Sequence, residues 1–242
     1  MRFELSNFKH FKDAMMISEA MLDEIKFEAD NDGLRFRGLD RSHVAFMSMN
    51  IGKDYFDVFD IETPESCIID TSELVKVLKR IKGDDTLHFS FDEENVTIQF
   101  QGQAKRTFKI RNIDQEYDSP STPNIEYPCT VEVSYKHLLE SIKDCDLYDD
   151  KLKISTSQYQ IGLSAVGDLG DYEAKLDVDD ELHGKLSSVF RTSWLKTFFK
   201  IGNISDDVEI NMGNDMPLLL RFEDEFGLTI QFILAPRIES DY

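Results

Sequence analysis

Thr71–Lys82 reads TSELVKVLKRIK. Leu74, Val77, Leu78 and Ile81 recur at the spacing of one helix face, and Thr71 and Ser72 stand where a helix cap belongs. The other face carries Lys76, Lys79, Arg80 and Lys82 against a single acid, Glu73, in a chain whose formal net charge is -20. The pattern returns at Thr192–Ile201, TSWLKTFFKI. There Thr71, Ser72, Leu74, Leu78 and Lys79 recur as Thr192, Ser193, Leu195, Phe199 and Lys200. One such helix is an ordinary solvated surface. Two in so acidic a chain point to basic faces kept for a polyanion.

The duplication extends outward. Phe8-Lys9-His10-Phe11 maps onto Tyr135-Lys136-His137-Leu138. With the same shift, Ile25 and Phe27 fall on Leu152 and Ile154, and Leu34 and Phe36 on Ile161 and Leu163. The spacing predicts a helix from about Phe8 to Leu22, capped by Ser6 or Asn7. It predicts strands at Arg2–Leu5, Ile25–Glu28, Leu34–Leu39, Val44–Ile51, Ser66–Asp70, Leu87–Phe91, Val96–Gln101 and Arg106–Ile110. An acidic pair follows each of four helices: Asp23-Glu24, Asp84-Asp85, Asp149-Asp150 and Asp206-Asp207. We read these acids as solvated turn residues. Asn112–Pro128 has no period and carries Pro120, Pro123 and Pro128, so it reads as an extended connector. We place the connector at 115–128, between similar domains at 1–114 and 129–242. Each domain is itself two helix-plus-strands units, and such self-similarity suits a geometric assembly better than a single cleft.

Composition narrows the function. A 242-residue chain with 41% hydrophobic residues and 18 Phe can bury a real core. Cys67, Cys129 and Cys145 are odd in number and widely spaced, which suits a reducing compartment and neither a disulfide framework nor a zinc site. The start, MRFELSNFKHF, lacks the apolar run of a signal peptide, and no stretch has the roughly 18 apolar residues of a membrane span. The expectation is an intracellular protein, in cytoplasm, nucleoid or nucleus, with no membrane partner. Phosphate-loop, dinucleotide, zinc-protease and nucleophile-elbow motifs are all missing, and the five histidines are scattered. Asp30-Asn31-Asp32-Gly33 reads as a turn, because the last position of a calcium loop would be Arg41. No catalytic residue, metal site or cofactor is expected. A carboxylate-dependent hydrolase of nucleic acid or glycan would need two acids converging in a pocket.

Three further stretches carry a resemblance: Gly38-Leu39-Asp40-Arg41-Ser42-His43-Val44, Asn214-Asp215-Met216-Pro217-Leu218 and Leu234-Ala235-Pro236-Arg237-Ile238-Glu239. With the duplication and the proline-bearing connector, the chain resembles, along its whole length, a sliding clamp of the proliferating cell nuclear antigen type of archaea and eukaryotes. The resemblance implies an α+β clamp fold: two similar domains, each with two helices packed on antiparallel sheets, ring-forming. It implies a processivity factor for DNA polymerase, not an enzyme, that encircles duplex DNA without reading sequence. Polymerase, clamp loader, flap endonuclease and DNA ligase would be its partners, and a homotrimer its assembly. The alternative is a clamp-like checkpoint or heterotrimer subunit that forms no ring alone.

On this resemblance the DNA-facing cations are Lys9, Lys12, Lys76, Lys79, Arg80, Lys136, Lys143, Lys196 and Lys200. Asp13, Glu19 and Glu140 depart from the family pattern and weaken that lining. A peptide of the Gln-x-x-aliphatic-x-x-aromatic-aromatic kind would bind at Leu39, Val44, Phe46, Ile125, Pro217, Ile233, Ala235 and Pro236. The subunit contact would pair a strand bearing Lys105, Arg106, Lys109 and Arg111 with one bearing Asp171, Glu173 and Asp177. The charge complementarity of those two stretches is visible in the sequence itself.

Overall fold

The computed structural model describes residues 1–237; Ile238 and Glu239, which end one of the family-like stretches, lie outside the described residues. The chain forms two compact units. The first comprises Met1–His43, Met47–Thr122 and Asp224–Ile230; the second comprises Val44–Phe46, Pro123–Glu223 and the described residues from Gln231. No helix among the described residues is long and apolar enough to cross a membrane.

The first unit holds helices α1 (Lys9–Glu19) and α2 (Thr71–Leu78). Its strands are β1 (Arg2–Leu5), β2 (Glu24–Asp30), β3 (Gly33–Leu39), β4 (Ala45–Gly52, of which Ala45 and Phe46 fall in the second unit), β5 (Val58–Asp60), β6 (Glu65–Asp70), β7 (Thr86–Phe91), β8 (Asn95–Gln101) and β9 (Lys105–Arg111). One antiparallel sheet runs β5-β1-β7-β8-β9; in the other the order is β6-β2-β3-β4. β5 has no predictive period because three residues are too few to show one; it exists because it pairs with β1, Phe3 opposite Phe59. Gly33 opens β3 at φ 146, and a Cβ there would lie 2.0 Å from the Ile51 carbonyl oxygen. Strand alternation sends Phe3, Phe27, Phe36 and Phe89 inward to meet Phe11 of α1. Phe3 stacks on Phe89 at 4.8 Å, and Phe27 is within 5.8–6.0 Å of Phe11, Phe36 and Phe89.

Both helices differ from the expected limits. α1 starts at Lys9 with no side-chain cap, and the Ser6 backbone N–H donates instead to Asp57. It ends at Glu19 because the Ala20 and Met21 N–H groups close tightly onto Ile17 and Ser18. α2 is capped by Asp70, not by Thr71 or Ser72: Asp70 Oδ1 accepts the Glu73 N–H and the Ser72 hydroxyl, each at 2.9 Å. Thr71 is wholly buried in the first turn, and Lys82 lies beyond the helix end.

The Glu73 N–H holds the Asp70 carboxyl below its ordinary pKa. A depressed folded-state value contributes stability above the unfolded pKa, about 4, and that contribution is lost as pH falls through the folded value. Asp70→Ala is expected to cost about 1 kcal/mol in urea unfolding at pH 7 and progressively less at acid pH. An equal loss at both pH values would remove the cap assignment.

The second unit repeats the scheme. It has β10 (Cys129–Ser134), α3 (Tyr135–Cys145), β11 (Lys151–Ser157), β12 (Gln160–Gly167), β13 (Gly170–Asp177), β14 (Ser187–Arg191), α4 (Thr192–Phe198), β15 (Asp207–Met212), β16 (Leu218–Glu223) and most of β17 (Leu228–Leu234), whose first three residues fall in the first unit. The antiparallel strand orders are β13-β12-β11-β14 and β10-β15-β16-β17. Its core clusters Tyr135, Phe198, Phe199, Phe222 and Phe232, with Phe198 stacked on Phe232 at 4.4 Å. The molecule is therefore α+β, with two helices and two antiparallel strand sets in each unit.

The acidic pairs have a specific place. The first N–H of α2 donates to the Asp23 carbonyl at 2.8 Å, that of α3 to Asp206 at 2.9 Å and that of α4 to Asp150 at 2.9 Å. In each unit, then, the turn after one helix receives the start of the other. Asp85 departs from the solvated reading: it is 5% exposed, accepts the Lys82 N–H at 2.7 Å and is ion-paired to Arg106. Gly102 leaves room for it, since a Cβ there would meet its Oδ1 at 2.4 Å.

Candidate nucleic-acid interface

The four helices bury one side and leave lysines on the other. Leu74, Val75 and Leu78 of α2 are buried, while Lys76, Lys79 and the following Arg80 are exposed. In α4, Leu195 and Phe198 are buried; Lys200, just past the helix, is exposed and Lys196 half-buried. Lys9 of α1 and Lys136 and Lys143 of α3 are exposed, and Lys12 is half-buried. Trp194 packs against Phe198 at 5.9 Å between centroids.

Four of these cations have carboxylate partners. Lys9 Nζ lies 3.2 Å from Asp13, Lys76 2.6 Å from Glu73 and Lys79 3.2 Å from Glu19, and Lys196 is paired with Asp146. The Glu73 hydrogen bond raises the Lys76 pKa. Burial pushes the Asp146 carboxyl up, but hydrogen bonds from Lys196 and Thr192 outweigh it and leave the pKa below the ordinary value. Among the described residues, Lys12, Arg80, Lys136, Lys143 and Lys200 have no ion-pair partner. Glu19 is among the sequence's departures from the family pattern; Asp146 is not, and its signal is an acid directly after a helix, three residues before the Asp149-Asp150 pair.

Among the described residues, β9 and β13 each end a sheet with no strand paired on the outer side. β9 is last in β5-β1-β7-β8-β9, and β13 is first in β13-β12-β11-β14. Alternation puts Lys105, Lys109 and Arg111 on the exposed face of β9, with Phe108 and Ile110 half-buried on the other. On β13, Asp171, Glu173 and Asp177 are exposed, alongside Lys175, which pairs with Glu173 at 3.1 Å. Arg106 does not belong with the exposed set: it donates to Asp85 and, at 2.8 Å, to the Arg80 carbonyl, and lies 5.2 Å above the Phe100 ring. Leu147, Tyr148, Val166 and Leu169 are large exposed apolar residues of the second unit, Leu169 at 97%. They lie at the end of α3 and at the β12–β13 turn, and Tyr148 stacks against Tyr172 of β13. Sequence reading did not find them; a leucine inside an acidic glycine-bearing turn was the available signal.

The residues proposed for a peptide divide by exposure. Phe46 and Ile233 are 2% and 5% exposed and belong to the core, leaving almost no surface for a ligand. Val44 is exposed, and Ile125, Pro217, Ala235 and Pro236 are half-buried in the second unit; Leu39 is half-buried in the first. The Ala235 N–H donates to the Val44 carbonyl at 2.8 Å, which brings the residue after the Asp40–His43 turn to the end of β17.

The family description "Proliferating cell nuclear antigen, N-terminal domain" matches residues 3–119, and its C-terminal counterpart matches 121–237. The chain belongs to the proliferating cell nuclear antigen family. A DNA polymerase sliding clamp of Methanobrevibacter smithii is 36% identical over 239 residues, covering 98% of each chain. One from Methanothermobacter thermautotrophicus is 38% identical, covering 92% of this chain and 91% of the relative. The crystal structure of a family member from Thermococcus kodakaraensis matches the fold at TM-score 0.90 with 22% identity, covering 98% of this chain and 99% of that one. A chain of the PCNA2–PCNA3 complex of Sulfolobus tokodaii matches at 0.86 with 27% identity, covering 98% and 99%. The two-domain DNA clamp fold and the sliding-clamp assignment follow from these matches.

Proposed function

We propose that this chain is a DNA polymerase sliding clamp that works as a closed ring of three copies around duplex DNA, with no catalytic activity of its own. The observation that carries this is the pair of unpaired edge strands of opposite charge. β9 offers Lys105, Lys109 and Arg111, and β13 offers Asp171, Glu173 and Asp177. A head-to-tail contact of β9 on one copy with β13 on the next uses two different surfaces, the kind of contact that builds a ring when the rotation between copies closes. It would also cover the half-buried Phe108 and Ile110 and the exposed Leu147, Val166 and Leu169.

Within the ring the helix cations would meet phosphates. Such contacts carry no sequence information and let the protein slide. Retention is then topological: leaving the DNA needs ring opening, so weak contacts suffice. The surface of Val44, Ile125, Pro217, Ala235 and Pro236 would take an aromatic-ended peptide of a client such as polymerase, flap endonuclease or ligase, and a separate loader would open the ring.

The expected result is a mass of three chains at working concentration, and retention on closed circular duplex that is lost when the circle is cut. A protein that stays monomeric alone but assembles with sister chains supports the heterotrimer subunit instead. Equal retention on linear and circular DNA would remove the topological mechanism.

A further inference from the structure

The acidic partners of the helix lysines are of two kinds. Lys76–Glu73 and Lys9–Asp13 lie within single helices, three and four residues apart, and are the common pairs of a solvated helix. Lys79–Glu19 and Lys196–Asp146 are different. Each joins the two helices of one unit, across 60 and 50 residues of sequence. The arrangement is alike in both: the carboxylate comes from the C-terminal end of the unit's first helix, and the lysine from the second helix (Lys196) or the residue directly after it (Lys79). Glu19 is the last residue of α1, and Asp146 caps α3. An acid at a helix C-terminus opposes the helix dipole and is a poor choice for helix stability alone. Asp146 is also fixed by the Thr192 hydroxyl at 2.6 Å.

We infer that Glu19 and Asp146 are positioning residues that hold Lys79 and Lys196 away from phosphate and so set how weakly the clamp grips DNA. This rests on the reading of the helices as DNA-facing. A lysine already paired with a carboxylate releases no counterion when a phosphate approaches, and brings its acid near the duplex. The grip then falls to Lys12, Arg80, Lys136, Lys143 and Lys200, which have no such partner among the described residues. Weak holding favours sliding.

The test measures binding of a short linear duplex by fluorescence anisotropy across a salt series, for the whole chain and for the Glu19→Gln, Asp146→Asn double variant. Freeing two lysines should steepen the fall of log affinity with log salt by up to about 1.8, which is about twelvefold more loss between about 50 and 200 mM salt. Affinity at the low-salt end should rise correspondingly. A control, Glu126→Gln with Glu225→Gln, removes the same charge at exposed positions that hold no lysine and should leave the slope unchanged. A structural role for the two acids would lower unfolding stability without moving the slope, and that result overturns the inference. An equal change in the control would also overturn it, since bulk charge would then be the cause. If the native chain binds with a measurable slope and the double variant matches it, only the inference falls. If neither binds at low salt, the DNA-facing reading falls with it.

Discussion

Changing Lys105, Lys109 and Arg111 together to Glu is expected to turn an assembled protein into single chains. All three lie on the exposed face of β9, which ends its sheet among the described residues. The substitutions set acids against Asp171, Glu173 and Asp177 of the next copy. A like-charge cost of about 4 kcal/mol would weaken association about a thousandfold. Because the side chains are exposed, each copy should keep its fold, and its thermal unfolding should change little apart from any contribution of assembly. Light scattering checks the mass. The decisive control is a second protein with Asp171, Glu173 and Asp177 changed to Lys. Mixed with the first, it should restore contact between opposite edges, although neither assembles alone. A trimer that survives both sets of changes would place the subunit contact elsewhere.

Arg106→Leu is expected to destabilise the first unit by about 3–5 kcal/mol, a large share of a domain's typical stability. The size follows from what is left behind. Asp85 is buried and negatively charged, and without Arg106 it keeps only the Lys82 N–H at 2.7 Å. The side chain of Arg106 also satisfies the Arg80 carbonyl at 2.8 Å. Adding Asp85→Leu to Arg106→Leu should recover much of the loss, since removing both partners leaves no lone buried charge. Denaturant unfolding of the native chain, both single variants and the double variant completes the cycle. If Arg106→Leu alone costs no more than an exposed arginine would, within about 0.5 kcal/mol, then Asp85 is not dependent on it.

The comparison of Arg106 with its neighbours shows where reading a sequence stops. A basic run, KRTFKIR, is plain in the chain, and so is the acidic run that faces it in the proposal. Alternation already separates Lys105, Lys109 and Arg111 from Arg106, because successive strand residues point to opposite faces. Nothing local says that the second face has an acid waiting on it: Asp85 comes from a turn 21 residues earlier. The same limit applies to Glu19 and Asp146. Both are visible as acids near helix ends, but the lysines they hold sit on another helix. Phe46 and Ile233 fit the family's peptide site by position, and only packing reveals that both are core residues. The cap of α2 was misassigned because Asp70, Thr71 and Ser72 are all good caps in sequence; the direction of the chain at the end of β6 chose among them.

By itself the sequence determined the main helix and strand segments, the duplication, the pairing of basic helix faces with an acidic whole and the opposite charge of two stretches. These rest on periods of two and about 3.6 residues, on repeats and on net charge, which are properties of the chain in one dimension. The tertiary structure decided which charges are already neutralised, which strands end a sheet and which apolar residues remain uncovered. Those properties depend on contacts between residues tens of positions apart, where burial and distance, not residue type, set the energy of a charge.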